Sequence, residues 1–80
     1  MPGNKHIAVS KMKSGQTGKI IEIQGGQGIT ARLNALGLIP GRTITKLSDM
    51  LMRGPVTVKT GNTQIAIGYG MADKIIVELD

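Results

Sequence analysis

The chain has 80 residues, no cysteine, a single aromatic residue and a formal net charge of +5. Its length allows one domain (residues 1–80), and the lack of cysteine excludes disulfide bonds, thiolate metal sites and a thiol nucleophile. Small secreted domains usually depend on disulfides, and no apolar run is long enough to span a membrane, so we expect a cytoplasmic protein.

Short runs rich in β-branched residues, divided by turn residues, predict six strands. After a leader over residues 1–5 that we expect to fray, the strands cover residues 6–9, 17–24, 42–49, 55–60, 63–67 and 74–79. Gly18 predicts a bulge or bend within the second strand. Gly61 and Asn62 predict a two-residue hairpin between the fourth and fifth strands.

One helix is predicted between the second and third strands, where the spacing of apolar residues changes. Ile29, Leu33 and Leu36 lie four and three positions apart, which places them on one apolar face of a helix running from about Ile29 to Leu36. A single helical turn is also expected at residues 71–73.

The end of this helix is marked by glycine and proline. Gly37 predicts a helix stop in the left-handed conformation, and Leu38 is placed to fold back onto Leu33 or Leu36. Pro40 and Gly41 suit the two central positions of a type II turn.

Six short strands with one short helix predict a mostly β domain, either a small sandwich or a barrel. We favour a barrel of five or six strands, because closure removes strand edges that an isoleucine-rich chain would otherwise leave exposed.

The sequence over residues 26–31 fits the pattern G-x-G-x-x-A between a strand and a helix, as a dinucleotide fingerprint does. That site needs a full crossover helix and a parallel sheet, whereas Gly37 and Pro40 stop this helix after about two turns. We therefore interpret the glycines as a strand-to-helix corner.

Catalytic and metal-binding patterns are weak. His6 is the single histidine, and the five carboxylates are scattered along the chain, so neither a metal site nor a cofactor site is predicted. No catalytic triad, paired carboxylates or phosphate-binding loop with a lysine appears, and we expect a protein that is not an enzyme.

Positive charge is concentrated in the first part of the chain. Residues 1–47 hold seven of the ten Lys and Arg residues and one acidic residue, Glu22. These charges either solvate one rim of the domain or attract an acidic partner. Nucleic acid is the alternative partner, but barrels of that kind stack bases on aromatic side chains and this chain offers only Tyr69.

Met50, Leu51 and Met52 form an apolar cluster on a predicted loop, followed by Arg53. Exposed apolar clusters of this kind often mark partner sites, and methionine adapts readily at such surfaces. The alternative is that the loop folds over an open end of the barrel.

Several blocks resemble the ferrous iron transport protein A (FeoA) family, over roughly residues 6–80. The most specific is R-L-x-x-L-G-L-x-P-G over residues 32–41, and the others are Gly54-Pro55-Val56 and Met71-Ala72 with Ile75 and Val77. The resemblance implies an SH3-like barrel and a cytoplasmic accessory protein. It also implies action with FeoB, a membrane transporter that has a GTP-binding domain.

Our leading hypothesis is an adaptor of ferrous iron uptake that docks on the cytoplasmic GTP-binding domain of the FeoB-type transporter and regulates or assembles it. The adaptor would reach the membrane only through this partner. The proposed contact residues are Arg32, Arg42, Lys46, Met50, Leu51, Met52 and Arg53. The alternatives are a nucleic-acid-binding barrel and a weakly self-associating module in which the Met50–Met52 loop inserts into a neighbouring barrel.

Overall fold

The computed structural model describes residues 5–48 and 54–79. Six strands, two short α-helices and one turn of 3₁₀ helix make up this part of the chain. In order, they are β1 (His6–Ala8), the 3₁₀ helix (Val9–Lys11), β2 (Thr17–Ile23), α1 (Gln27–Ala35), β3 (Thr43–Ser48), β4 (Val56–Thr60), β5 (Thr63–Ile67), α2 (Tyr69–Ala72) and β6 (Ile75–Leu79).

The six strands form one sheet in the order β1-β6-β2-β3-β4-β5, and all five pairs are antiparallel. Strands β3, β4 and β5 follow one another as hairpins, and the Gly61-Asn62 hairpin is confirmed because Thr60 pairs with Thr63. β6 returns from α2 to lie between β1 and β2.

The core lies on one face of this sheet. Side chains at alternate positions are buried there, which follows from the two-residue period of a strand. A flat sheet would leave this face open, since α1 adds only one fully buried residue, Leu33. The sheet instead curves around the core, so that this face is shielded from solvent. The buried residues of the core are Val9, Met12, Ile20, Leu33, Leu38, Ile44, Val56, Val58, Ile65, Ile67, Ala72, Ile75 and Val77.

The predicted barrel is not fully closed. Among the described residues no ladder joins β1 to β5, so these strands are the two edges of the curved sheet. The prediction of a mostly β domain with six strands and one short helix between β2 and β3 is confirmed. The expectation that closure removes every edge is wrong for this part of the chain.

The predicted end of α1 is confirmed in detail. Gly37 has φ +93°, its N–H donates to the carbonyl of Asn34 at 2.9 Å, and the N–H of Leu38 donates to the carbonyl of Leu33 at 3.0 Å. This is the hydrogen-bond pattern of a Schellman stop. Gly41 has φ +94°, and Arg42 N–H bonds to the Ile39 carbonyl at 3.1 Å, as the Pro40-Gly41 turn requires.

Two sequence-based details are wrong. Leu36 was expected on the buried face of α1, but it is 45% exposed, because the helix ends at Ala35 and Leu38 takes the buried position beside Leu33. The bulge in β2 lies between Ile20 and Glu22 instead of at Gly18.

Gly18 serves a different purpose, the close approach of β6. A Cβ at this position would lie 3.0 Å from the carbonyl oxygen of Glu78 and 3.2 Å from the Val77 side chain. Only glycine therefore lets the two backbones and the Val77 side chain pack at this distance.

Candidate partner-binding surface

The contact residues predicted from sequence fall into three groups. Arg32, on α1, and Arg42, just before β3, are exposed. Lys46 is fully buried. Met50, Leu51, Met52 and Arg53 lie outside the described residues.

Lys46 is therefore a correction to the predicted surface, because a steering charge must be exposed. Its side chain enters the core from β3, and its Nζ donates to the carbonyls of Met12 at 2.7 Å, Val9 at 3.2 Å and Ser10 at 3.3 Å. Val9 and Ser10 belong to the 3₁₀ helix, and Met12 directly follows it. The ammonium group is thus a structural tie between β3 and the segment after β1.

The chain leaving α1 combines apolar and basic side chains on the surface. Leu36 is 45% exposed and Ile39 is 37% exposed. Arg32 lies in the last turn of α1 and Leu36 is the C-cap residue of that helix, so a basic and an apolar exposed residue stand close together in the chain. We call residues 32–42, which end at Arg42, the helix-exit segment.

Sequence periodicity missed Leu36 and Ile39 as surface residues. A signal was nevertheless present, because a glycine stop pairs the residue four positions before the glycine with the residue after it. That rule selects Leu33 and Leu38 for the core and leaves Leu36 outside it.

A shallow groove of about 340 Å³ runs beside α1, lined by Ile23, Gly26, Gln27, Thr30, Ala31 and Asn34. It contains most of the G-x-G-x-x-A motif. Gly25 and Gly26 have φ of +103° and +92° and turn the chain from β2 into α1, which supports the strand-to-helix corner. The flanking strands pair antiparallel with each other, unlike the parallel strands of a dinucleotide-binding unit.

His6 pairs with a carboxylate across the first ladder. Its Nε2 lies 3.7 Å from Oε2 of Glu78, and both side chains are accessible to solvent. Over residues 5–48 and 54–79, no three His, Cys, Asp or Glu side chains come together in a group that could hold a metal ion.

The described surface is strongly basic. Exposed positions hold Lys5, Lys11, Lys13, Lys19, Arg32, Arg42, Lys59 and Lys74, and none of these eight side chains is in a salt bridge. Two exposed carboxylates have other partners, since Asp73 accepts a hydrogen bond from Ser10 and Glu22 accepts one from Gln24. The positive charge is thus available to an acidic partner.

Neither helix in the described part of the chain has the length or the apolar character to cross a membrane.

Comparison with known proteins identifies the family. The family profile described as FeoA domain matches residues 7–79. A protein of Methanocaldococcus jannaschii named Fe(2+) transport protein A is 35% identical over 66 residues, which are 82% of this chain and 78% of that protein.

Solved structures share the fold. The crystal structure of an iron uptake regulatory protein (FeoA) superposes with a TM-score of 0.89 at 33% identity, covering 95% of this chain and 100% of that one. The zinc complex of FeoA from Stenotrophomonas maltophilia, described as a prokaryotic SH3 domain protein, gives 0.76 at 20% identity, with coverage of 89% and 88%. The chain therefore belongs to the FeoA domain family of ferrous iron transport and has its SH3-like fold.

Proposed function

We propose that this protein is a non-enzymatic accessory protein of ferrous iron uptake that docks on the cytoplasmic GTP-binding domain of a FeoB-type transporter. The observation that carries the proposal is the family match over residues 7–79, with relatives named for Fe(2+) transport and iron uptake regulation. The protein would then act in the cytoplasm and reach the membrane only through this partner.

The helix-exit segment is the proposed docking surface in the described part of the chain. Leu36 and Ile39 supply exposed apolar area, while Arg32 and Arg42 supply positive charge beside it. Interfaces commonly combine an apolar centre with charged groups that steer association. The Met50–Met52 cluster with Arg53 remains a second predicted part of this surface.

Backbone hydrogen bonds hold the helix-exit segment in place, which favours binding without a change in its conformation. At its C-terminal end, Gly41 N–H donates to the Ile20 carbonyl at 2.7 Å, and Ile20 N–H donates to the Arg42 carbonyl at 2.9 Å. These bonds tie the turn to β2. A preorganised surface loses less conformational entropy when it binds.

The test is titration calorimetry of this protein with the purified cytoplasmic domain of a FeoB-type transporter. We expect Arg32→Glu combined with Arg42→Glu to weaken binding at least about tenfold, since both charges are reversed at the contact. Leu36→Asp should weaken it by a similar factor. The loop variants Leu51→Asp and Arg53→Glu test the second part of the surface separately.

Lys59→Glu is the control, because Lys59 is also exposed but lies on β4, outside the helix-exit segment. It should change the affinity by less than about threefold, the size of a general electrostatic effect. If all of these variants bind as the parent does, or if the parent does not bind the domain, the proposal is contradicted. Salt-sensitive binding to generic RNA, with no binding to the transporter domain, would favour the nucleic-acid alternative.

A further inference from the structure

Strand β5 leaves one backbone edge without a partner strand. It lies at the end of the sheet and pairs only with β4. Within residues 5–48 and 54–79, no other backbone hydrogen bond reaches Thr63–Ile67. An edge of this kind presents N–H and C=O groups that can template another strand.

This edge also lacks the features by which proteins usually block strand addition. Thr63–Ile67 contains no charged residue and no proline, and its register with β4 runs without a bulge. The opposite edge is different, because β1 has only three residues, follows Lys5 and runs directly into a 3₁₀ helix.

The register identifies the groups at the open edge. The tight turn between Thr60 and Thr63 makes that pair a hydrogen-bonded one. Pairs in an antiparallel ladder alternate, so residues 63, 65 and 67 bond to β4. Gln64 and Ala66 therefore direct their N–H and C=O groups away from the sheet.

The N–H and C=O groups of Gln64 and Ala66 can pair with the same four groups of a second copy related by a two-fold axis. If β5 pairs antiparallel with β5 of a second copy, centred on Ile65, Gln64 of each chain lies opposite Ala66 of the other. Both are hydrogen-bonded pairs, so all four groups of each edge are satisfied. The long Gln64 side chain then lies beside the small Ala66 side chain, and the two Ile65 side chains lie opposite each other.

We propose that β5 is a self-association edge, through which two copies of this protein join their sheets into one. No like charges meet at the contact, since β5 is uncharged. The contact area is small, so the dimer is weak and forms at high local concentration. The net charge of +5 on each copy opposes approach, so added salt should strengthen the dimer.

The experiment is sedimentation equilibrium of the whole chain from about 10 µM to about 1 mM, paired with amide hydrogen exchange over the same range. We expect a reversible dimer, with the Gln64 and Ala66 amides gaining protection as concentration rises. Ala66→Pro should weaken dimerisation at least about tenfold, because it removes an edge N–H and no N–H used by β4. Gln64→Lys should weaken it by placing charge at the contact.

Thr43→Lys is the matched control, since Thr43 is exposed on β3, away from the edge. It adds the same charge and should change the dimer constant by less than about threefold. Circular dichroism confirms that each variant is folded. A monomer at every concentration would overturn the proposal, as would dimers that Ala66→Pro does not affect. Gln64 and Ala66 amides already protected in the dilute monomer would overturn it too, because the edge would then be covered within one chain.

Discussion

At the scale of single residues, Gly18 and Gly28 differ in how much space surrounds them. Gly18 lies in β2 against the backbone of β6, where a Cβ would come within 3.0 Å of the Glu78 carbonyl oxygen. Gly28 lies near the start of α1, where a Cβ would meet no atom within 4 Å. Neither residue needs a left-handed conformation, so the difference is due to packing alone.

Alanine at these two positions should therefore change stability in opposite directions. Gly18→Ala should lower the free energy of unfolding by about 1–3 kcal/mol, because β6 or its Val77 side chain must move. Gly28→Ala should raise it by up to about 0.5 kcal/mol through helix propensity. Urea unfolding measures both values, and equal effects at the two sites would show that the β2–β6 contact tolerates a methyl group.

A third residue-scale prediction concerns the stop of α1. Gly37 has φ +93° with open space around its Cα, so the conformation and not crowding demands glycine there. Gly37→Ala should lower the free energy of unfolding by about 1–2 kcal/mol. Gly70→Ala, in α2 and without a left-handed backbone, is the control and should have a smaller effect.

At the scale of elements, Lys46 joins β3 to the chain that follows β1. Besides the three bonds of its ammonium group, its backbone N–H donates to the Gln16 carbonyl at 2.9 Å, and its carbonyl accepts from Gly15 at 2.7 Å. Both the side chain and the backbone of one residue therefore hold residues 9–16 in place. A buried lysine is tolerated here because carbonyl oxygens take the place of water around its charge.

Replacing Lys46 by methionine should loosen this connection. The variant keeps the apolar stem but leaves buried carbonyls without their donor, and we expect a loss of about 2–4 kcal/mol in unfolding free energy. Relative to the parent, the variant should show a larger increase in hydrogen-exchange rate at the Met12 and Gln16 amides than at the amides of β4. Lys19→Met, at an exposed site on β2, should stay within about 0.5 kcal/mol of the parent.

At the scale of the whole molecule, the helix and the sheet share one core. Leu33 of α1 and Leu38 after it are fully buried in the same cluster as residues from β2 to β6. A helix of nine residues is too short to be stable alone, so α1 depends on these contacts. The domain should consequently unfold as a single cooperative unit.

Leu33→Ala tests this dependence. It should lower the free energy of unfolding by about 2–4 kcal/mol through the cavity it leaves. Far-ultraviolet circular dichroism and the fluorescence of Tyr69, on α2, should still report one shared midpoint. Separate midpoints for the two probes would contradict a common core.

The fold was largely predictable because its signals are local. Alternation of apolar residues identified the strands, and the glycine and proline positions identified the end of α1, the type II turn and the hairpin. Each of these depends on a few neighbouring residues and their backbone preferences. The six strands and the helix were therefore found, with boundaries that differ from the structure by one or two residues.

The candidate surface was less predictable, because exposure depends on which distant segments meet. Lys46 reads as a surface charge, yet the carbonyls that surround it come from residues more than thirty positions earlier in the chain. Leu36 reads as core, yet Leu38 displaces it. Arg32 and Arg42 were placed correctly as exposed side chains.

The sequence by itself determined the strand pattern, the stop of α1 and the family, because each of these depends on short runs of neighbouring residues. The tertiary structure alone decided three further features: the burial of Lys46, the need for glycine at position 18 and the open edge at β5. Each of these depends on contacts between segments far apart in the chain, and periodicity carries no information about such contacts.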